Sequence, residues 1–131
     1  MSEFKSNHNI VYNCKYHVIW VVKYRRPVLT NKIEARLKQI LLEVATEINV
    51  EIDEMSVGEY NHIHLLLSVD PQFGIHKVVK RFKGVSSRYL RKEFPELMKL
   101  PSMWTRSYFV STAGQVSMET IKKYIESQGK N

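Results

Sequence analysis

Two histidines, His62 and His64, stand one residue apart at the head of the apolar run "NHIHLLLSV". On a β-strand, side chains two residues apart share a face and sit roughly 7 Å apart along it. Imidazoles so placed can converge on one ion, while Ile63, Leu65 and Leu67 face the opposite way as core. The same spacing suits two hydrogen-bonded strand histidines, so the pair alone leaves ligation and packing both open. A metal site that does chemistry needs a further ligand and a reacting group. Tyr124 and Gln128 lie four apart, one turn apart on a helical face beside Ile121 and Ile125. A phenol, with its pKa near 10, is a weak nucleophile until its target is polarised, which a divalent cation on a phosphate oxygen can do. The amide oxygen of Gln128 could complete the protein ligands. Tyr124 could equally belong to the stripe of Met118, Ile121 and Ile125 and merely pack.

The surrounding pattern indicates how such groups would be carried. Residues 10–24 alternate apolar and polar side chains as a long half-buried strand, ended by "KYRRPV". "NKIEARLKQILLEVATEIN" reads as a helix capped by Asn31 with Glu34 three residues on, and with Ile33, Leu37, Ile40, Leu41, Val44 and Ile48 inward. Strands are expected at 50–60 and 62–69, paired as a hairpin, and then a helix at about 75–94 with Val78, Phe82, Val85 and Tyr89 inward. A strand at about 107–112 and a last helix at about 117–128, capped by Ser117 and closed by Gly129, complete the chain. The order βαββαβ fits an α+β, ferredoxin-like (RRM-like) antiparallel sheet with helices on one face, plus a C-terminal helix carrying Tyr124.

Length and composition fit one domain over residues 1–131 with a real core. No apolar run is long enough to span a bilayer and the N-terminus lacks a signal-peptide build, so a cytoplasmic protein without membrane contact is expected. The single cysteine, Cys14, excludes an internal disulfide and a cysteine-cluster metal site. The net charge of +7 is localised: residues 73–110 hold nine Lys or Arg against two Glu, and the remainder balances eleven against eleven. Such a segment suits a polyanion or a solvated helix. Lys77, Arg81, Gly84, Arg88 and Arg91 fall near one helical face, opposite the apolar one, as a ridge that a sugar-phosphate backbone could approach at the glycine. Lys83 adds to this charge, Lys23, Arg25 and Arg26 could extend it, and Trp104 or Tyr108, if exposed, could stack on bases.

Five blocks carry a resemblance over nearly the whole chain: "YHVIWVVKYRRPVL", "NHIHLLL", "VVKRFKGVSSRYLRKEFPEL", "MWTRSYFVSTAGQVS" and "IKKYIESQ". Together they resemble the single-tyrosine transposases of the smallest insertion sequences, the HUH class that moves single-stranded DNA. The resemblance implies that His62, His64 and Gln128 bind Mg²⁺ or Mn²⁺ and that Tyr124 is the nucleophile forming a 5′-phosphotyrosine. It also implies hairpin-containing DNA ends as substrate, and a homodimer in which the tyrosine helix of one chain serves the histidines of the other; in this sequence "TAGQVS", with Gly114, offers a hinge for such an exchange. The family's usual Asp before the first histidine is Asn61 here. Its odd position is expected to point it away from the ligand face, with small effect. Two other readings compete: a non-catalytic nucleic-acid-binding module with structural histidines, and a metal hydrolase using Glu59 or Asp70. Only the transposase reading uses the histidine pair, the terminal tyrosine and the basic segment together.

Overall fold

Alternation in the first long apolar segment sets the centre of the fold. The structure, a computed structural model, describes residues 5–6, 11–12, 14–112 and 117–129. The expected strand at 10–24 is divided. A short antiparallel ribbon pairs β1 (Lys5–Ser6) with β2 (Val11–Tyr12), and the sheet strand β3 spans Lys15–Val21. β3 sends Val18 and Trp20 to one face and Ile19 and Val21 to the other, all fully buried. A strand covered on both faces has no solvent side, which is why residues 18–22 are apolar without a break.

The helix α1 (Asn31–Glu47) buries Ile33, Leu37, Ile40, Leu41, Val44 and Ala45. Its cap differs from the expected one. Thr30 is the N-cap, without a side-chain bond, so Asn31 is already helical and the Glu34 carboxylate accepts from Lys38 instead. Strands β4 (Glu51–Gly58) and β5 (His62–Ser68) form the hairpin anticipated. Their turn places Glu59 and Tyr60 at φ of 50° and 58°, with the Asn61 N–H donating to the Gly58 carbonyl at 3.0 Å. Non-glycine residues held there cost on the order of 1 kcal/mol or more each.

The helix α2 (Ile75–Glu93) buries Val78, Val79, Phe82, Ser86 and Leu90. The expected inward face is rotated: Tyr89 is 42% exposed, and Leu90 occupies the core beside it. Ser86 is tolerated inside because its hydroxyl accepts the Trp104 indole N–H at 3.1 Å. Trp104 is therefore core, not a base-stacking surface. Pro95 stops α2, as the residue before a proline avoids helical geometry, and Phe94 has φ −124°.

Strand β6 (Phe109–Thr112) pairs with β3, giving the antiparallel order β4-β5-β3-β6 of the ferredoxin-like arrangement. α1 and α2 pack on the face bearing Val18, Trp20, Ile63, Leu65 and Leu67. The last helix, α3 (Met118–Ser127), packs on the opposite face, Ile121 and Ile125 against Ile19 and Val21. Ser117 caps it by accepting from the Thr120 N–H, and it ends at Ser127, with Gln128 as its C-cap and Gly129 just beyond. Among the described residues, no helix is long and apolar enough to cross a membrane.

Candidate active site on the second sheet face

The register of β5 turns His62 and His64 toward the α3 face, half-buried, while Ile63 and Leu65 are fully buried behind them. Both imidazoles line a cleft of about 800 Å³ between the β4–β5 turn and α3, with Arg25, Ser56, Gly58 and Glu59 on the sheet side. Burial lowers the pKa of each. At His62 the charge of Glu59 opposes this and His64 adds to it; at His64, His17 adds and Glu54 opposes. The rings are thus neutral near pH 7, the form a metal ion requires.

Their orientations are set by neighbours. The His62 Nδ1–H donates to Asn61 Oδ1 at 2.8 Å, leaving the Nε2 lone pair available. Asn61 does not point away as its parity suggested. It precedes the first residue of β5, so strand alternation does not govern it, and its buried side chain bonds the imidazole. A third histidine, His17 on β3, places its Nδ1 3.0 Å from His64 Nε2, the two atoms sharing one proton. Gly58 gives His62 its room: a Cβ there would lie 2.5 Å from both Cε1 and Nε2 of the ring. Gly58→Ala should therefore displace the imidazole, and, on the expectation that His62 is a metal ligand, lower Mn²⁺ affinity by about 10- to 100-fold while the circular dichroism spectrum stays unchanged. Undiminished affinity in an electron paramagnetic resonance titration would mean that the ring position is immaterial.

Tyr124 and Gln128 are brought together, but elsewhere. Tyr124 stacks against Phe109 at 5.6 Å between centroids, and its hydroxyl is 2.9 Å from Ser107 Oγ. Ser107 Oγ in turn donates to Gln128 Oε1 at 3.1 Å. Burial raises the phenol pKa, partly offset by its hydrogen bonds with Ser107 and Thr105, so the hydroxyl stays protonated here. α3 turns Met118, Lys122 and Ile125 toward the histidine cleft; neither Tyr124 nor Gln128 lines it. Within one chain, the tyrosine and glutamine form one unit and the histidines another. Ser107, which ties the first unit together, carries no sequence signal that marks it.

The donor set fits part of a divalent metal site: two neutral imidazoles, one with its tautomer fixed. Among the described residues, no group of three or more His, Cys, Asp or Glu is arranged to hold a metal. Glu59, one candidate for a hydrolase, lines the cleft; Asp70 does not, and its side chain accepts from the Gln72 N–H in the turn before α2.

The basic residues separate into several places. Lys77, Arg81 and Arg88 share a groove with Lys80 and Gly84, although Arg81 also meets Glu47 at 3.3 Å. Arg91 is not on that ridge: its guanidinium donates to the carbonyls of Leu100 and Pro101. Lys83 leaves it too, donating to the carbonyls of Thr105, Arg106 and Ser107 at 2.7, 3.2 and 3.0 Å. Burial lowers its pKa to about 8. Lys23 and Arg26 lie over the Tyr24 ring, at 5.2 and 6.0 Å, and Arg25 enters the histidine cleft.

Known proteins are similar to this chain over most of its length. The family described as "Transposase IS200 like" matches residues 10–128. The ISDra2 transposase TnpA of Deinococcus radiodurans is 39% identical over 129 residues, covering 96% of this chain and 91% of that protein. The transposase for insertion sequence element IS200 of Salmonella typhimurium is 31% identical over 131 residues, covering 98% and 85%. A Deinococcus radiodurans R1 crystal structure at 1.90 Å superposes with a TM-score of 0.88 at 37% identity, over 97% of this chain and 99% of that one. A match running from residue 10 to residue 128 takes in β3, both histidines and all of α3. The chain belongs to the IS200-like transposase family.

Proposed function

We propose that this chain is a metal-dependent transposase that breaks and rejoins single-stranded DNA through a 5′-phosphotyrosine at Tyr124. The observation that carries the reading is a pair of neutral, oriented imidazoles beneath the helix that bears the tyrosine. His62 and His64 would hold Mg²⁺ or Mn²⁺, with Gln128 as the remaining protein ligand. Bound there, a divalent cation supplies Lewis-acid polarisation of a phosphate oxygen. The Tyr124 oxygen attacks phosphorus, losing its proton as the new P–O bond forms. The bond to the 3′ oxygen breaks, and that oxygen takes up a proton. In the reverse sense a 3′-hydroxyl attacks a phosphotyrosine, restoring a phosphodiester and the phenol. Bond energy is conserved at each exchange, so no nucleotide cofactor is required.

Because Tyr124 and Gln128 meet Ser107, and not the histidines of their own chain, the working site on this reading is composite. The tyrosine helix of one copy serves the cleft of a second in a homodimer. The hinge assigned to Gly114 lies outside the described residues. The groove of Lys77, Lys80, Arg81 and Arg88 grips the DNA backbone, with hairpin-bearing element ends as the substrate.

Incubation with single-stranded element ends and Mn²⁺ should give a covalent protein–DNA species on a denaturing gel, absent when the metal is chelated. A non-catalytic binding module would shift the same DNA on a native gel and give no adduct, which would overturn the reading.

A further inference from the structure

We propose that Arg25 contacts the scissile phosphate and stabilises the charge that develops on it, a catalytic role beyond general DNA binding. This rests on the reading that single-stranded DNA is attacked at the His62–His64 cleft. The backbone aims the residue there. Tyr24 and Arg25 both adopt left-handed φ values, 59° and 53°, which L-residues rarely take in succession. The turn is fixed by the Lys23 N–H donating to the Met103 carbonyl at 3.0 Å and the Arg25 N–H to the Val22 carbonyl at 2.8 Å. Lys23 and Arg26 remain over the Tyr24 ring, so of the run "KYRR" only Arg25 lines the histidine cleft.

The other cleft cations, Lys122 and Lys123, ride on α3, and Lys123 is paired with Glu119 at 3.6 Å. Arg25 is the cleft cation that the sheet carries beside the imidazoles, among the described residues. It stays there whichever copy supplies the tyrosine helix. In the chain as folded, Arg25 Nη1 donates to the Ile125 carbonyl at 3.2 Å. A neutral carbonyl is a weaker partner for guanidinium than a phosphate, whose two non-bridging oxygens match its parallel N–H groups. A phosphodiester entering the cleft therefore takes Arg25 from Ile125. As the Tyr124 oxygen adds to phosphorus, negative charge on those oxygens rises, and the guanidinium interaction strengthens with it.

The test compares wild type with Arg25→Gly, chosen because glycine accepts the left-handed φ and so spares the turn. Each is given a single-stranded element end carrying either an ordinary phosphodiester or a neutral methylphosphonate at the cleavage position. On the phosphodiester, the variant should form the adduct about 100-fold more slowly, whereas on the methylphosphonate the two proteins should differ by less than about 3-fold. Arg25→Lys, which keeps the charge and loses the fork, should fall between wild type and Arg25→Gly on the phosphodiester, and Mn²⁺ affinity should be the same in all three. An equal loss on both substrates would reduce Arg25 to a support for α3, and no loss on the phosphodiester would remove it from the reaction. Failure of the wild type to form any adduct on the phosphodiester would instead strike the underlying reading.

Discussion

Replacing Tyr124 with phenylalanine is expected to abolish the covalent DNA adduct, lowering its rate of formation by about 10⁴-fold or more, as loss of an attacking group does in enzymes of known mechanism. Fold and DNA affinity should survive. The hydroxyl meets the exposed Ser107 at 2.9 Å, and losing such a hydrogen bond costs about 1 kcal/mol. The ring stays against Phe109. Adduct formation on a denaturing gel, beside DNA binding on a native one, separates the two effects. An adduct retained by Tyr124→Phe would mean that a different group attacks.

His64→Ala should be nearly as damaging, by another route. It removes one of two imidazoles facing the cleft and leaves His17 without its partner at 3.0 Å. Loss of a direct ligand should exceed the 10- to 100-fold cost of losing an outer-shell contact, so Mn²⁺ affinity should fall by more than about 100-fold and the adduct should vanish. Ile63 and Leu65 lie on the other face of β5, so the fold should remain. An unchanged Mn²⁺ titration would show that the histidines only pack.

The elements that carry these groups were legible because each follows a strong local period. Alternation through residues 62–68 placed the histidines opposite Ile63, Leu65 and Leu67, and Ser117 marked the start of α3 by its cap. Where local rules stop, tertiary contacts decide. Asn61 sits one residue before β5, where parity no longer fixes direction, and its amide meets His62. Lys83 reads as one more cation on a basic helix; only the path of residues 105–107 turns it inward onto three carbonyls. Nothing in "IKKYIESQ" says which side of α3 meets the histidines. That depends on how Ile121 and Ile125 seat on Ile19 and Val21, a tertiary outcome that sends Tyr124 toward β6.

On the proposed reading, the separation of the tyrosine unit from the histidine cleft within one chain places the working site between two copies. The most direct measurement co-expresses Tyr124→Phe and His64→Ala chains of different size and assays the mixed dimer on single-stranded element ends with Mn²⁺. Neither variant alone should form an adduct, and the mixture should form one carried by the His64→Ala chain, whose tyrosine is intact. A silent mixture beside an active wild type would contradict a site assembled from two copies.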